Sequence, residues 1–270
     1  MQKRHNDNNL YFKELANTCK EYFIPYIEKF TGINKKNVLE IGCGMGGNLY
    51  PFYERNCTVT GIDIDSTRID FANKIFSSFN KPHLKFEFRN ENFFDTALQG
   101  SFDIIIIHDV IEHIEYKEIF FEKLKSFLSH TGIVYFGFPA WHMPFGGHQQ
   151  LCVSKVCSKL PFIHLLPTFL YNKFLKIFKE PNHKIEELLD IKKCRMTVEK
   201  FEQLSTFNNY EIIDRSLWLI NPHYRIKFNL TPIKVNRLFA SIKYLRNYYV
   251  SSCFYLLQLN VCKEQFKTKN

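Results

Sequence analysis

Residues 38–47 read Val-Leu-Glu-Ile-Gly-Cys-Gly-Met-Gly-Gly, a short apolar run that ends in glycines spaced GxGxG at 42, 44 and 46. A strand that enters such a loop and leaves it as a helix turns tightly, and its backbone can approach a ligand where a Cβ would obstruct. Glu40 stands two residues before the first glycine, and a second run, Val59-Thr60-Gly61-Ile62-Asp63, ends in an acid. A carboxylate at that place can accept hydrogen bonds from both ribose hydroxyls of an adenosine. A dinucleotide-binding unit would use glycines and a downstream acid in parallel roles. The GxGxG spacing at 42, 44 and 46 and the segment Asp-Val-Ile-Glu-His at 109–113 argue against it.

Further groups with chemical potential follow. Asp109, Glu112 and His113 form a DxxEH cluster. Oxygen ligands with one imidazole suit Mg²⁺ or Mn²⁺, and such an ion lowers the pKa of a bound hydroxyl. The same residues can instead shape a helix start, with Asp as cap and Glu in the first turn, and that reading is preferred. His142 and His148 lie in the glycine-containing segment 138–150 that follows a predicted strand. Either can serve as a general base near neutral pH, and His148, beside Gly-Gly and two glutamines, is the favoured one. The alternative is a structural histidine in a turn, because transfer chemistry can run on proximity and orientation alone.

These residues need a scaffold, and the patterning supplies one. Residues 38–43, 57–64 and 84–88 read as strands, and Ile104, Ile105, Ile106 and Ile107 within 102–110 mark a strand buried on both faces. Helical stretches at 46–54, 66–78 and 117–128 alternate with them at βαβ length. Residues 132–139 give a fifth strand, 197–207 a helix capped by Thr197, 211–220 a sixth strand and 250–259 a seventh; residues 9–30 form a leading helix. The expected fold is α/β, a seven-stranded, mostly parallel doubly wound sheet of order 3-2-1-4-5-7-6 with the last strand antiparallel. Ligands of such sheets bind at the carboxyl ends of the strands.

Two stretches break the alternation. Residues 141–196 read as a cap inserted into a core made of 1–140 and 197–270, and 221–249 as a second, basic insertion. Of the net charge of +9, residues 221–249 carry +6 without a single acid, and 141–181 carry +4. Both insertions leave the carboxyl edge, so an anionic partner is expected there. Residues 160–179, rich in Phe, Leu and Lys, could lie in an anionic membrane interface or pack as a lid helix on their own domain.

At 270 residues the chain is long enough for a large α/β domain. Cys19, Cys43, Cys57, Cys152, Cys157, Cys194, Cys253 and Cys262 contain no CxxC pair and read as free thiols of a reducing compartment. With a polar start at residues 1–9 and no 18-residue apolar span, a cytoplasmic location is expected.

Glu-Ile-Gly-Cys-Gly-Met-Gly at 40–46 resembles the first motif of class I S-adenosylmethionine-dependent methyltransferases, and Gly-Ile-Asp-Ile-Asp at 61–65 resembles their second. Residues 101–114 are similar to their fourth strand and the loop after it, and the resemblance covers 38–140. It implies S-adenosylmethionine as cofactor, lined by Glu40, Gly42, Cys43, Gly44, Gly46, Asp63 and Ile64. The methionine end would lie near Glu40, Gly42, Ile107, His108 and Asp109, the ribose on Asp63, and the adenine near Glu91, Asn92 and Phe93. Relatives usually carry Asp and a small residue where Glu91 and Asn92 stand. The DxxEH cluster is similar to the ExxEH metal site of the ubiquinone-pathway O-methyltransferases and of the small-RNA 3′-terminal 2′-O-methyltransferases, with Asp for the first Glu.

The expected activity is methylation, O-directed, of a small or lipid-linked acceptor such as a glycan precursor, quinone or phenolic compound. His148, His142 and Asp109 are the candidate catalytic residues. An RNA methyltransferase is the runner-up, favoured by the basic insertions but lacking a recognisable RNA-binding module. A non-catalytic S-adenosylmethionine-binding protein is the third reading.

Overall fold

Four successive isoleucines at 104–107 are fully buried, as a strand covered on both faces requires. They belong to a sheet seen in a computed structural model that describes residues 7–79, 81 and 83–260. Among these, eight strands pair into one sheet: β1 (Asn37–Ile41), β2 (Thr58–Asp63), β3 (Phe86–Asn90), β4 (Phe102–His108), β5 (Leu128–Phe138), β6 (Tyr210–Ile220), β7 (Ile233–Lys234) and β8 (Ser252–Leu259). The order is β3-β2-β1-β4-β5-β8-β6-β7. Strands β1 to β5 are mutually parallel, and β8 runs antiparallel between β5 and β6. The doubly wound order read from the sequence is therefore present, with one correction: there are eight strands, not seven. The added strand is the two-residue β7, which pairs antiparallel with the edge of β6 from within the basic insertion.

Helices cover both faces. The leading helix α1 (Asn8–Thr18) passes through a π-helical turn, Cys19–Phe23, into α2 (Ile24–Ile27). Helices α3 (Tyr50–Glu54), α4 (Ser66–Ser77) and α5 (Lys117–Lys125) are the βαβ crossovers. Residues 155–194 hold α6 (Lys155–Lys159), α7 (Thr168–Ile177) and α8 (Asn182–Cys194); α9 (Val198–Phe207) returns to the sheet, and α10 (His223–Phe228) and α11 (Arg237–Ser241) lie in the basic stretch 221–249. Caps fix several starts. Asp65 accepts from Arg68 N ahead of α4, and Thr197 accepts from Lys200 N ahead of α9, satisfying amides that have no partner inside the helix.

One apolar cluster lies between the sheet and α5 and α9, with Phe121, Phe136, Phe201 and Tyr255 at its centre; another lies under α1 to α4, with Phe12, Phe52, Phe76 and Phe88. A third, small cluster joins α7 to α8, in which Tyr171 and Leu175 of α7 meet Ile185 and Leu188 of α8. That packing takes up one side of the 160–179 segment and leaves Phe169 and Ile177 in solvent. No helix among the described residues is long and apolar enough to cross a membrane. Seven cysteines are free and buried, and Cys262 lies outside the described residues.

Candidate active site

The glycine loop follows β1 directly, and its backbone explains its composition. Gly42, Gly44 and Gly46 have φ of +71°, +51° and +77°, the left-handed region that side chains disfavour. A Cβ on Gly42 would also lie 2.3 Å from Val110 Cγ2, and one on Gly46 2.8 Å from Phe88 Cζ. The loop is tied to the end of β2 by Gly42 N and Cys43 N, which donate to Ile62 O at 2.8 and 3.0 Å.

Asp63 organises the same corner. Its Oδ2 accepts from Gly44 N at 2.7 Å and its Oδ1 from Asp65 N at 2.9 Å, while its carbonyl accepts from Glu91 N and from Asn90 Nδ2, both at 3.1 Å. Beside it Ile64 is 77% exposed, a bare apolar side chain at the sheet's carboxyl edge. Glu91 accepts from Thr96 Oγ1 at 2.6 Å, and Asn92 Oδ1 caps the turn by accepting from Phe94 N. Phe93 points inward: its ring packs on Phe120 and Phe127, so only its main chain can face a ligand.

Glu40 is buried beneath the loop. Its Oε1 accepts from Asn48 Nδ2 at 2.7 Å, but its Oε2 and Asn48 Oδ1 have no protein partner. Burial lifts the Glu40 carboxyl to about 8, against a smaller downward pull from the Asn48 hydrogen bond. Two orphaned acceptors at the foot of a backbone cradle fit an incoming ammonium group. Asn48 went unnoticed in the sequence, although it is the polar side chain that follows Gly46-Gly47. Helix α1 was missed in this role too: a Cβ on Gly47 would strike Leu15 Cβ at 2.7 Å and Phe12 O at 2.9 Å, so the helix lies against the loop.

The second half of the site lies past β4. His108 is buried between Phe23 and Tyr135, with ring centroids 4.5 and 6.1 Å away, and burial pulls its pKa down. Gly137 is required beside it, because a Cβ there would fall 2.0 Å from His108 Nδ1. Asp109 adopts φ +54°, a strained state for a non-glycine residue, and its amide donates to Gly137 O at 2.9 Å. The chain then makes a short 3₁₀ turn at Ile111–His113.

That turn buries Glu112, whose two carboxylate oxygens have no hydrogen-bond partner. Burial, then the Asp109 charge, pushes its pKa well up. Facing it at 4.0 Å is His148 Nε2, and the His148 ring stands edge-on to His113 at 4.9 Å. Ligand atoms of Glu112, His113 and His148 lie within 4.8 Å of one another. The residues brought together thus differ from the DxxEH grouping: His148 joins Glu112 and His113, and Asp109 stands outside the triad. Gly146 packs on Trp141 O and Gly147 on the His164 side chain, and His148 after them adopts φ +56°. Burial lowers the His148 pKa, leaving a neutral imidazole at pH 7. His142 is elsewhere, stacked on Tyr248 at 5.1 Å with its Nδ1 buried and unpartnered. A surface cleft of about 490 Å³ lies among Thr168, Leu189, Lys192 and Arg195, away from the glycine loop.

A parallel sheet of this order, closed by an antiparallel strand, with a glycine loop after β1 and an acid ending β2, defines the class I S-adenosylmethionine-dependent methyltransferase fold. Residues 39–134 match the model of a methyltransferase domain family, and the chain carries a domain of that class. It is 28% identical over 134 residues to a ubiquinone biosynthesis O-methyltransferase of Rhodopseudomonas palustris, covering 50% of this chain and 52% of that protein. It is 29% identical over 161 residues to a human thiol S-methyltransferase, covering 51% of this chain and 64% of the other. The chain therefore spans about half to under two thirds of the length of these relatives. The fold of an S-adenosylmethionine-dependent methyltransferase from Clostridium acetobutylicum superposes with a TM-score of 0.56 at 12% identity, covering 90% of this chain and 92% of that one.

Proposed function

We propose that the protein transfers a methyl group from S-adenosylmethionine to a hydroxyl of a small or lipid-linked acceptor. The observation that carries the acceptor side is the buried Glu112 carboxylate, without a hydrogen-bond partner and 4.0 Å from a neutral His148. The bound cofactor supplies a methyl group on a sulfonium sulfur. Asp63 and the glycine loop hold its ribose, Ile64 covers its adenine, and Glu40 with Asn48 receives its ammonium group. Asp109 stands at the end of β4, where the methyl group would emerge.

Attack by the acceptor oxygen forms the new C–O bond as the C–S bond breaks and its electron pair stays on sulfur. His148 takes the hydroxyl proton, and Glu112 beside it stabilises the imidazolium that forms. Residues 141–196 form the cap on the acceptor side, and the free thiols favour a reducing compartment such as the cytoplasm. A second reading has its own support. Glu112, His113 and His148 could hold a divalent cation, which would lower the acceptor's pKa, and the convergence of their ligand atoms within 4.8 Å favours it.

Titration calorimetry with S-adenosylhomocysteine tests the cofactor half. Formation of that product from S-adenosylmethionine, accelerated by phenolic, quinol or glycolipid hydroxyl acceptors, tests the rest. No binding would overturn the whole reading. Binding without stimulated turnover would favour the non-catalytic alternative, and turnover stimulated by RNA alone the RNA-directed one.

A further inference from the structure

The basic insertion carries a surface whose composition and support point to a ligand outside the methyl-transfer site. Residues 236–245 form a strap around α11 that buries none of that helix's residues. Leu238 is 77% exposed, Phe239 58% and Tyr244 70%, with Ile242 and Leu245 exposed beside them. Arg237 and Lys243 are interspersed and exposed, and no acid occurs anywhere between 221 and 249.

The strap is held from below. The buried Arg246 guanidinium donates to Glu199 at 2.9 Å, to Glu202 at 2.8 Å and to the strap carbonyl of Ala240 at 3.1 Å. Glu199 also accepts from Tyr244 N at 2.8 Å, and Tyr249 Oη donates to Phe239 O at 2.7 Å. Tyr244 is held at φ +64°, a strained value for a residue with a side chain. Apolar side chains left in water above a fully bonded polar footing are not an uncompleted core. Their own fold already satisfies everything beneath them.

We propose that this strap docks on an anionic lipid bilayer. Aliphatic and aromatic side chains flanked by Arg and Lys match an interface in which the former enter the acyl boundary and the latter meet phosphate headgroups. A second copy of the chain is a poor occupant, since two such straps would place like charges face to face. A single-stranded nucleic acid would use the aromatics and cations but leave Leu238, Ile242 and Leu245 in water. Tyr248, just past the strap, stacks on His142, so docking would bring the membrane beside the segment that carries His148. The proposal does not depend on methyl transfer, because its test reads binding alone.

Co-sedimentation of the full chain with vesicles of phosphatidylcholine alone, and of phosphatidylcholine with phosphatidylglycerol in equal parts, tests it. Binding to the anionic vesicles only, weakened by salt, is expected. The exposed-site variants Leu238→Ser with Phe239→Ser, and Arg237→Glu with Lys243→Glu, should each lower partitioning by about tenfold or more, with unchanged melting and S-adenosylhomocysteine binding. No binding of the wild type to anionic vesicles at low salt would overturn the proposal, as would strap variants that bind vesicles like the wild type. So would variants that lose RNA binding while their vesicle binding is retained.

Discussion

Replacing Glu40 by Gln should remove a pH dependence of cofactor affinity whose size follows from the burial of that carboxyl. In the free protein its pKa stands at about 8 because burial penalises the charged form and Asn48 alone offsets it. If the cofactor's ammonium group pairs with the ionised form, each binding event must first remove a proton. Apparent affinity then falls by a factor of one plus ten to the power of the pKa minus the pH. That is about twofold at pH 8, about tenfold at pH 7 and about a hundredfold at pH 6. Above pH 8 the cofactor's own α-amino group, with an ordinary value of about 7.7–8.0, loses its proton and affinity declines again.

Calorimetric titration with S-adenosylmethionine across this range should therefore show an optimum near pH 8. Glu40→Gln should bind about 10- to 100-fold more weakly at that optimum, for loss of a charged hydrogen bond, and show no acid limb. Stability of the free protein runs the other way. A carboxyl raised from 4.5 to about 8 holds its proton more tightly when folded, so its contribution is present below pH 4.5 and is lost as pH rises to about 8. Glu112 shifts in the same direction, so Glu40→Gln should flatten only part of the decline in melting temperature. Wild-type affinity that is flat between pH 6 and pH 8 would refute the pairing of Glu40 with the ammonium group.

Other perturbations separate the remaining roles. Asp63→Ala removes the acceptor of Gly44 N and Asp65 N as well as the ribose contact, and cofactor Kd should rise about 10- to 100-fold by calorimetry. Glu112→Gln and His148→Ala should each lower kcat by about 10²–10⁴ with cofactor Kd nearly unchanged. Chelation by EDTA should leave the wild type active if His148 is the base, and abolish activity restorable by Mg²⁺ or Mn²⁺ if the triad holds an ion. Arg246→Met removes the cation paired with the buried Glu199, while Glu202 keeps Arg215, and should cost about 3–5 kcal/mol in urea denaturation.

The parts of the site that could be read from the sequence are those whose constraint is local. Positive φ at 42, 44 and 46 selects glycine at each position, Thr197 caps the helix that follows it, and the Ile104–Ile107 run needs only burial on both faces. The meeting of Glu112 with His148 depends on the register of β4 against β5 and on two residues with left-handed backbone, and sequence spacing carries neither. The resemblance places the adenine near Phe93 as well as Glu91 and Asn92, but it carries no information on where the Phe93 ring points. There the chain turns, with Asp95 N donating to Asn92 O, and the ring enters the core. The two-residue β7 follows Pro232 among cations and has no periodicity to show.

Among the described residues, buried polar atoms without a partner occur away from the carboxyl edge too, as at Ser129 Oγ, Tyr171 Oη and Trp218 Nε1, but the carboxylates among them, Glu40 and Glu112, both lie at that edge. Away from the carboxyl edge, Arg246, Glu199, Glu202 and Asn247 bond one another and the neighbouring main chain, as a structural network should. At the carboxyl ends of β1, β4 and β5, Glu40 Oε2, Asn48 Oδ1, both oxygens of Glu112 and His142 Nδ1 are buried without partners. Leaving such groups unpaired costs about 1–3 kcal/mol each. The two incomplete carboxylates fit the proposed partners: the ammonium group of the cofactor at Glu40 and Asn48, and the acceptor hydroxyl, or an ion that holds it, at Glu112 and His148.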